Sequence, residues 1–339
     1  MWNIIRELCD LPGVSGREKP VRDYILKQLD GYCDTEVDAL GNILAYKKGK
    51  KSALKKVMID AHMDEVGIIV TAANERGFWK FQTVGGIETE VLCGKRVVFE
   101  NGVTGVICMK PIHLCKPEEK SAVPSVDSLV LDIGAENGAE ARQMLSPGDT
   151  AAFEPNFSEN GQTVCSKALD NRLGCAVMIR LLQEPADYDF VAAFTVGEEV
   201  GHRGATVAAY TVNPDDCLVL ETTTASDIPN GSEVKVCSLG KGPAVSFMDK
   251  GALYDPDLFK KTLALAEENG ILAQTKTAAT GGNNAAAIHL SRGGVKTAAV
   301  SVPCRYLHSP SCMASVGDVE ETYRLAKVWL AKAAAGELS

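Results

Sequence analysis

Four predominantly apolar runs set the frame of this 339-residue chain. They lie at 57–61 (VMIDA), 190–196 (FVAAFTV), 217–220 (CLVL) and 296–303 (KTAAVSVP). Helical patterns lie between and after them: NRLGCAVMIRLLQE (171–184), DPDLFKKTLALAEENG (255–270) with Gly270 as a stop signal, and a closing helix in VEETYRLAKVWLAKAAAG. Strands this apolar have no wet face. Alternating with helices, they predict an α/β fold, a mixed and mostly parallel sheet flanked by helices. Two more helical patterns precede them. Trp2, Ile4, Ile5 and Leu8 share one face, and Val21, Tyr24, Ile25 and Leu29 share another. Between them Ser15-Gly16-Arg17-Glu18 marks a helix start. The strand-like pieces TEVDAL and NILAYKKG meet at a tight turn, Gly41-Asn42.

The texture changes in the middle of the chain. VMIDAHMDEVGIIV (57–70) reads as one buried strand. From about 68 to 163, short runs such as GFWKFQTV, KRVVFE and VTGVICMK alternate with glycines, with one brief helical pattern near GAEARQML. This is the pattern of a small all-β unit inserted into the α/β chain. The predicted division is 1–67 and 164–339 for the α/β domain and 68–163 for the insertion.

Charge and cysteine content narrow the function classes. Lysine plus arginine is 35 against 44 acidic residues, a net charge of −9. That balance disfavours nucleic acid as a partner. No apolar run reaches the ~18–20 residues of a membrane span, and the N-terminus lacks a signal-peptide core. A cytoplasmic protein without a membrane partner is expected. The eleven cysteines are odd in number and form no CxxC pair, so they read as small core residues in a reducing compartment.

Each of the four strands leads to residues able to bind a metal: His62 and Asp64, Glu198 and Glu199, Glu221, and His308. Asp170 opens a helix in KALDNRLG. Ligands of open α/β sheets bind outside the carboxyl ends of the strands, so these groups can meet in one crevice. Carboxylates crowded together raise one another's pKa, and divalent cations relieve that repulsion. Two histidines and three carboxylates can hold two zinc-like ions if one carboxylate bridges. The spare carboxylate is then available as a general base. Taken singly, each element has a plainer explanation: a capped loop at 62–64, a solvated Glu198-Glu199 pair, an N-cap at Asp170. His113, His202 and His289 lack the strand-end placement and are set aside.

AHMDEVG (61–67), KALDNRLG (167–174), GEEVGHRGA (197–205) and RYLHSP (305–310) resemble motifs of the tetrahedral, or TET, aminopeptidases, the forty-second metallopeptidase family. This family includes glutamyl and leucyl aminopeptidases and proteins labelled endoglucanase. LPGVSGRE, VGGIETEVLCGKRV (84–97), IHLCKPEEK (112–120), LDIGAENGAEA (131–141) and SPGDTAAFEP (146–155) extend the resemblance over nearly the whole chain. It implies a zinc-exopeptidase-like α/β domain with an inserted β-barrel dimerisation domain, assembling into homodimers and a tetrahedral dodecamer. It implies a dinuclear metallo-aminopeptidase acting on peptides. His62 and Glu221 would bind one metal, Glu199 and His308 the other, and Asp170 both. Glu198 would be the general base, and Asp64 would orient His62. Zinc, cobalt and manganese all suit this set.

Two positions depart from the family pattern. Glu221 stands where the family usually carries Asp, with Asp227 as an acid that could compensate. TGGNNAAA (280–287) stands where the family more often reads GGTDA, so Asn284 removes a negative charge near the expected substrate pocket. Side-chain preference is expected to depend on 247–255 and 278–286. The same ligands would also serve a metal-dependent amidase or deacylase, and a shell-forming protein without activity is a further alternative. A glycosidase reading leaves the histidines without a role, because Glu198 and Glu199 are adjacent.

Overall fold

The computed structural model describes residues 1–117, 123–229 and 235–338; the last residues of the 112–120 motif lie outside these. Seventeen strands occur among them. Those of the main sheet are β1 (Asp34–Val37), β2 (Ile43–Lys47), β3 (Val57–His62), β10 (Ser158–Asn160), β11 (Thr163–Ser166), β12 (Phe190–Thr195), β13 (Asp216–Thr224), β14 (Ala244–Ser246), β15 (Gln274–Lys276), β16 (Lys296–Arg305) and β17 (Cys312–Ser315). The remaining six, β4 (Gly67–Ala73), β5 (Trp79–Val84), β6 (Arg96–Phe99), β7 (Thr104–Cys108), β8 (Val130–Asp132) and β9 (Thr150–Phe153), close into an antiparallel barrel.

The main sheet runs β1-β2-β12-β3-β13-β16-β17-β11-β10, with β14 paired to β16 and β15 to β14. The four predicted apolar strands are its centre, and β12, β3, β13 and β16 are mutually parallel. Antiparallel strands extend the sheet on both sides. Helices cover both faces, so β3 and β12 are buried along their whole length. The side-chain period of two sorts each strand between two cores. Val57, Ile59 and Ala61 pack with the helices at Trp2–Asp10 (α1), Lys19–Leu29 (α2), Leu169–Gln183 (α5), Pro256–Glu268 (α7) and Val316–Ala334 (α9). Met58 packs toward Arg203–Val212 (α6) and the short helix Ala285–Ile288 (α8). Two short helices, Thr89–Leu92 (α3) and Gly138–Met144 (α4), belong to the barrel region.

The expected single strand at 57–70 is broken. β3 ends at His62 and β4 begins at Gly67. Between them the chain leaves the sheet for the barrel, and Asp64 and Glu65 are buried there among polar partners that a continuous ladder would displace. The barrel fills its own core with Ile68, Trp79, Phe81, Val97, Ile107, Leu131 and Phe153, alternating with exposed neighbours such as Lys80 and Gln82.

Candidate metal centre

His62 is the last residue of β3, and Glu221 lies where β13 passes it. Both share the sheet face of Met58 and Val219 by the two-residue period. Asp170 stands at the start of α5, but its φ/ψ and those of Asn171 are non-helical, so the regular helix begins after them. Its carboxylate does not cap the helix; Oδ1 is buried without a hydrogen-bond partner. Glu198 and Glu199 follow β12. Their backbone N–H groups donate to Asp64 Oδ1 (3.0 Å) and Oδ2 (3.2 Å), and Ser15 Oγ donates to the same carboxylate at 2.6 Å. Glu18 accepts from the N–H of Gly16 (2.8 Å) and Gly197 (3.2 Å). The LPGVSGRE stretch thus braces the loop that presents the two glutamates. His308 lies beyond β16 with φ of 57°, a left-handed conformation costing about 1–2 kcal/mol in a non-glycine residue.

The groups meet as two sets that share Asp170. His62 Nε2 is 3.3 Å from Asp170 Oδ1 and 3.3 Å from Glu221 Oε1. His308 Nε2 is 3.6 Å from Asp170 Oδ2 and 3.4 Å from Glu199 Oε2. Ligands about 2.0–2.1 Å from a tetrahedral ion stand about 3.3–3.4 Å apart, so both sets have the spacing of a coordination shell. Glu198 joins the cluster with Oε2 4.0 Å from His62 Nε2. Glu221 Oε2, like Asp170 Oδ1, is buried without a partner. Four carboxylates face two histidines here, and two divalent cations cancel the four charges. The donor set, its spacing and the orphaned oxygens fit a dinuclear metal site.

Without cations the cluster satisfies itself through protons. Burial opposes charge on His62, but Glu221, Asp170 and Asp64 outweigh it and hold its pKa well above the ordinary value. Burial also opposes charge on His308, yet Asp170 and Glu199 push it up to about 10. Burial, then Asp170, raise Glu199 to about 8. Burial likewise raises Asp170, but His308 and His62 beside it hold it well below the usual carboxylate range. Protons on the histidines occupy the places that cations would take.

The backbone fixes the histidine orientation. His62 Nδ1 is 3.1 Å from the Asp64 carbonyl and 3.4 Å from its Oδ1. His308 Nδ1 is 2.7 Å from the carbonyl of Gly86. Each Nε2 is thereby left to the cluster. Gly86 comes from the barrel side of the molecule, between β5 and α3, and it went unseen in the sequence because a backbone carbonyl has no residue signature. His202, set aside in the sequence, is also present: its Nε2 is 3.2 Å from Glu198 Oε1. That hydrogen bond raises its pKa, against burial.

Both departures resolve differently from expectation. Asp227 does not compensate at the cluster; Arg305 donates to it at 2.7 and 2.8 Å and Leu239 N–H at 3.0 Å. Asn284 does not line the pocket. Its Nδ2 donates beneath the cluster to Asp60 Oδ2 (2.7 Å) and Thr195 Oγ1 (2.9 Å). Burial pushes the Asp60 carboxyl up to about 7, and an amide donor answers it where a second acid would repel it. A cavity of about 610 Å³ opens over the cluster and is lined also by Lys250, Gly251, Lys276 and Thr280 to Asn283.

The profile of a peptidase family, M42 glutamyl aminopeptidase, matches residues 41–325. The chain belongs to this family. It is accordingly a hydrolase of peptide bonds, and metallopeptidase membership implies a divalent cation. Curated relatives include a putative aminopeptidase of Acetivibrio thermocellus, 37% identical over 96% of this chain and 97% of its own. A lysyl aminopeptidase of Pyrococcus furiosus is 32% identical over 97% of this chain and 96% of its own. A glutamyl aminopeptidase of Lactococcus lactis is 32% identical over 94% and 92%. Among solved structures, an aminopeptidase of the archaeon Desulfurococcus kamchatkensis superposes with a TM-score of 0.93 at 33% identity, covering 99% of this chain and 96% of that one. The TET1 peptidase of Pyrococcus horikoshii, described as assembling into a tetrahedron or an octahedral shell, gives 0.86 at 34% identity, covering 97% and 98%.

Proposed function

We propose that this chain is a dinuclear metal-dependent aminopeptidase that removes N-terminal residues from peptides. The observation that carries the reading is Asp170, whose two oxygens lie 3.3 and 3.6 Å from two separate histidines, each of which also stands 3.3 to 3.4 Å from a glutamate. His62, Glu221 and Asp170 would hold one ion, and His308, Glu199 and Asp170 the other. Zinc or cobalt suits this set, and manganese is accommodated. Bound there, the pair supplies a water of lowered pKa and polarises the scissile carbonyl. Glu198 points into the same space, takes the proton of the attacking water and returns it to the leaving amine. His202 holds the second oxygen of Glu198 and so fixes its orientation. Asp64 keeps the 198–199 backbone and the His62 ring in register with each other. The barrel is read as the dimerisation domain, and dimers as the units of a tetrahedral dodecamer, in line with the assembly described for the P. horikoshii relative. A cytoplasmic setting accords with eleven cysteines that are all free thiols. Among the described residues no helix is long and apolar enough to cross a membrane.

Glu198→Gln tests the base. Metal content should be retained while kcat on aminoacyl anilides falls about 10²–10⁴-fold. Full activity in this variant removes Glu198 from the role.

A further inference from the structure

A second cavity lies behind the loop that presents Glu198 and Glu199. It has a volume of about 660 Å³ and opens where the α/β domain meets the barrel. Gly197 and Val200, on either side of the two glutamates, line it together with Leu40 and with Ile69 and Val84 of the barrel. Arg17, Lys19, Arg22 and Arg203 line the same space. Cations gathered in this way stand out in a chain with 44 acidic residues against 35 basic ones. Four arginines are half-buried or buried: Arg22, Arg172, Arg180 and Arg305. Arg172 pairs with Glu65 at 3.2 Å, Arg180 with Glu320 at 2.7 Å and Arg305 with Asp227 at 2.7 Å. Arg22 is the exception. Its guanidinium lies so close to Gly41 that a Cβ there would come within 2.6 Å of Nη1. Among the described residues it has neither an ion pair nor a hydrogen-bond acceptor. The Arg17 side chain has none either, and Arg203 uses only Nε, on the Val200 carbonyl at 3.1 Å. Lys19 is paired with Asp23. Two acids line the cavity. Glu18 is occupied, because its Oε1 accepts from the N–H groups of Gly16 and Gly197. Glu100 is exposed and forms a salt bridge with none of the cations, so opposite charges face one cavity without meeting across it.

We propose that this cavity is a second binding site, separate from the metal centre, for a free α-amino acid with an apolar side chain of about the size of leucine. A guanidinium offers a carboxylate two parallel N–H donors, so Arg22, with Arg17 and Arg203 lining the same cavity, takes the α-carboxylate. Glu100 takes the α-ammonium, and Leu40, Ile69, Val84 and Val200 cover the side chain. None of these residues belongs to the metal cluster, and the proposal goes beyond the aminopeptidase reading. The ligand is of the class that an aminopeptidase releases, and its place is against the reverse of the loop whose front carries Glu198 and Glu199. A short peptide offers the same two charged groups from another source, but its amine and carboxylate stand on different residues.

The test is calorimetric titration of the metal-loaded full chain, with acetohydroxamate saturating the metal centre so that no amino acid is read there. L-Leucine should bind at about one equivalent per chain, with a Kd of about a millimolar or tighter. 4-Methylpentanoate, which lacks the amine, should bind about 10-fold more weakly, and 3-methylbutylamine, which lacks the carboxylate, weaker still. Arg22→Ala should weaken L-leucine about 10–100-fold, the range of a hydrogen bond to a charged group, while anilide hydrolysis without added leucine persists. Glu100→Gln should remove most of the margin of leucine over 4-methylpentanoate. Arg17→Ala, at an exposed position, weakens leucine in the same direction and serves if the Arg22 variant fails to fold. No saturable binding of L-leucine up to about 50 mM overturns the site, as does binding unchanged in folded Arg22→Ala and Arg17→Ala. Gly-Leu binding tighter than L-leucine overturns the free amino acid as the occupant. The arginine comparisons need no metal, so they stand or fall apart from the aminopeptidase reading, which anilide hydrolysis tests.

Discussion

Glu65, Lys167 and Arg172 form one buried ionic cluster; His62, Asp170, Glu199, Glu221 and His308 form another, which shares the stretches around 62–65 and 167–172 and adds residues on or just beyond three further strands. In the first, Lys167 Nζ lies 2.9 and 3.0 Å from the two Glu65 oxygens and donates to the Leu11 carbonyl at 2.9 Å. Arg172 reaches Glu65 at 3.2 Å and the carbonyl of Leu8, with only its Nε lacking a partner. In the second, acids outnumber the available cations, and Asp170 Oδ1 and Glu221 Oε2 are buried without a hydrogen-bond partner. A buried cluster closed on itself holds the fold together. One left open, at strand ends and under a cavity, is completed from outside.

The largest test of this contrast is Asp170→Ala. Removing the shared carboxylate takes a ligand from both sets. Hydrolysis should fall at least about 10⁴-fold, the loss expected when the activated water and the oriented base go together, and metal uptake should drop to at most one weakly held ion. Unchanged stoichiometry by elemental analysis would mean that the ions lie elsewhere. The converse is Glu65→Gln, which leaves Lys167 and Arg172 buried without their counter-charge. Denaturant unfolding should show a loss of about 3–5 kcal/mol, with metal stoichiometry unchanged in the folded fraction. A variant of wild-type stability would show that the closed cluster is ornamental.

Acid–base behaviour sharpens the contrast further. In the metal-free protein Glu199 is raised to about 8 and His308 to about 10. Both pKa values lie above their unfolded counterparts, so the native state holds extra protons in these windows. The Glu199 contribution is complete below about 4.5 and disappears as pH rises through about 8; that of His308 is complete below about 6.5 and disappears through about 10. Metal-free protein should therefore lose stability as pH rises from about 5 to 10. Metal-loaded protein, with these sites already deprotonated, should show a flatter profile. Equal slopes by urea unfolding would place the ions away from His308 and Glu199. The smallest effect is expected for Asn284→Asp, which sets an acid against Asp60. Stability should fall by about 1–3 kcal/mol, while the ratio of rates on different aminoacyl anilides stays as in the wild type.

That the strand-end candidates would gather in one place was legible in the sequence for a physical reason. His62, Glu199, Glu221 and His308 each lie at or beyond the end of an apolar run, and the crevice rule gathers such ends without further information. The inserted all-β unit was legible from its short, glycine-punctuated strands, and the structure closes it into a barrel. What escaped depends on partners far apart in the chain or on the backbone. Glu65 and Lys167 are 102 residues apart, and Gly86 contributes only a carbonyl. Asn284 carries a polar signature that says nothing about which way it turns; the buried acid at Asp60, 224 positions away, decides that. Arg22 looked like any arginine because its meaning lies in what fails to pair with it.

The most direct test of the open cluster is calorimetric titration of the metal-stripped wild-type protein with zinc at neutral pH, counting equivalents bound per chain. Two equivalents are predicted, both competing with protons so that binding strengthens as pH rises. Saturation at a single equivalent, or none, in a fully folded protein would contradict a site built from two ligand sets sharing Asp170.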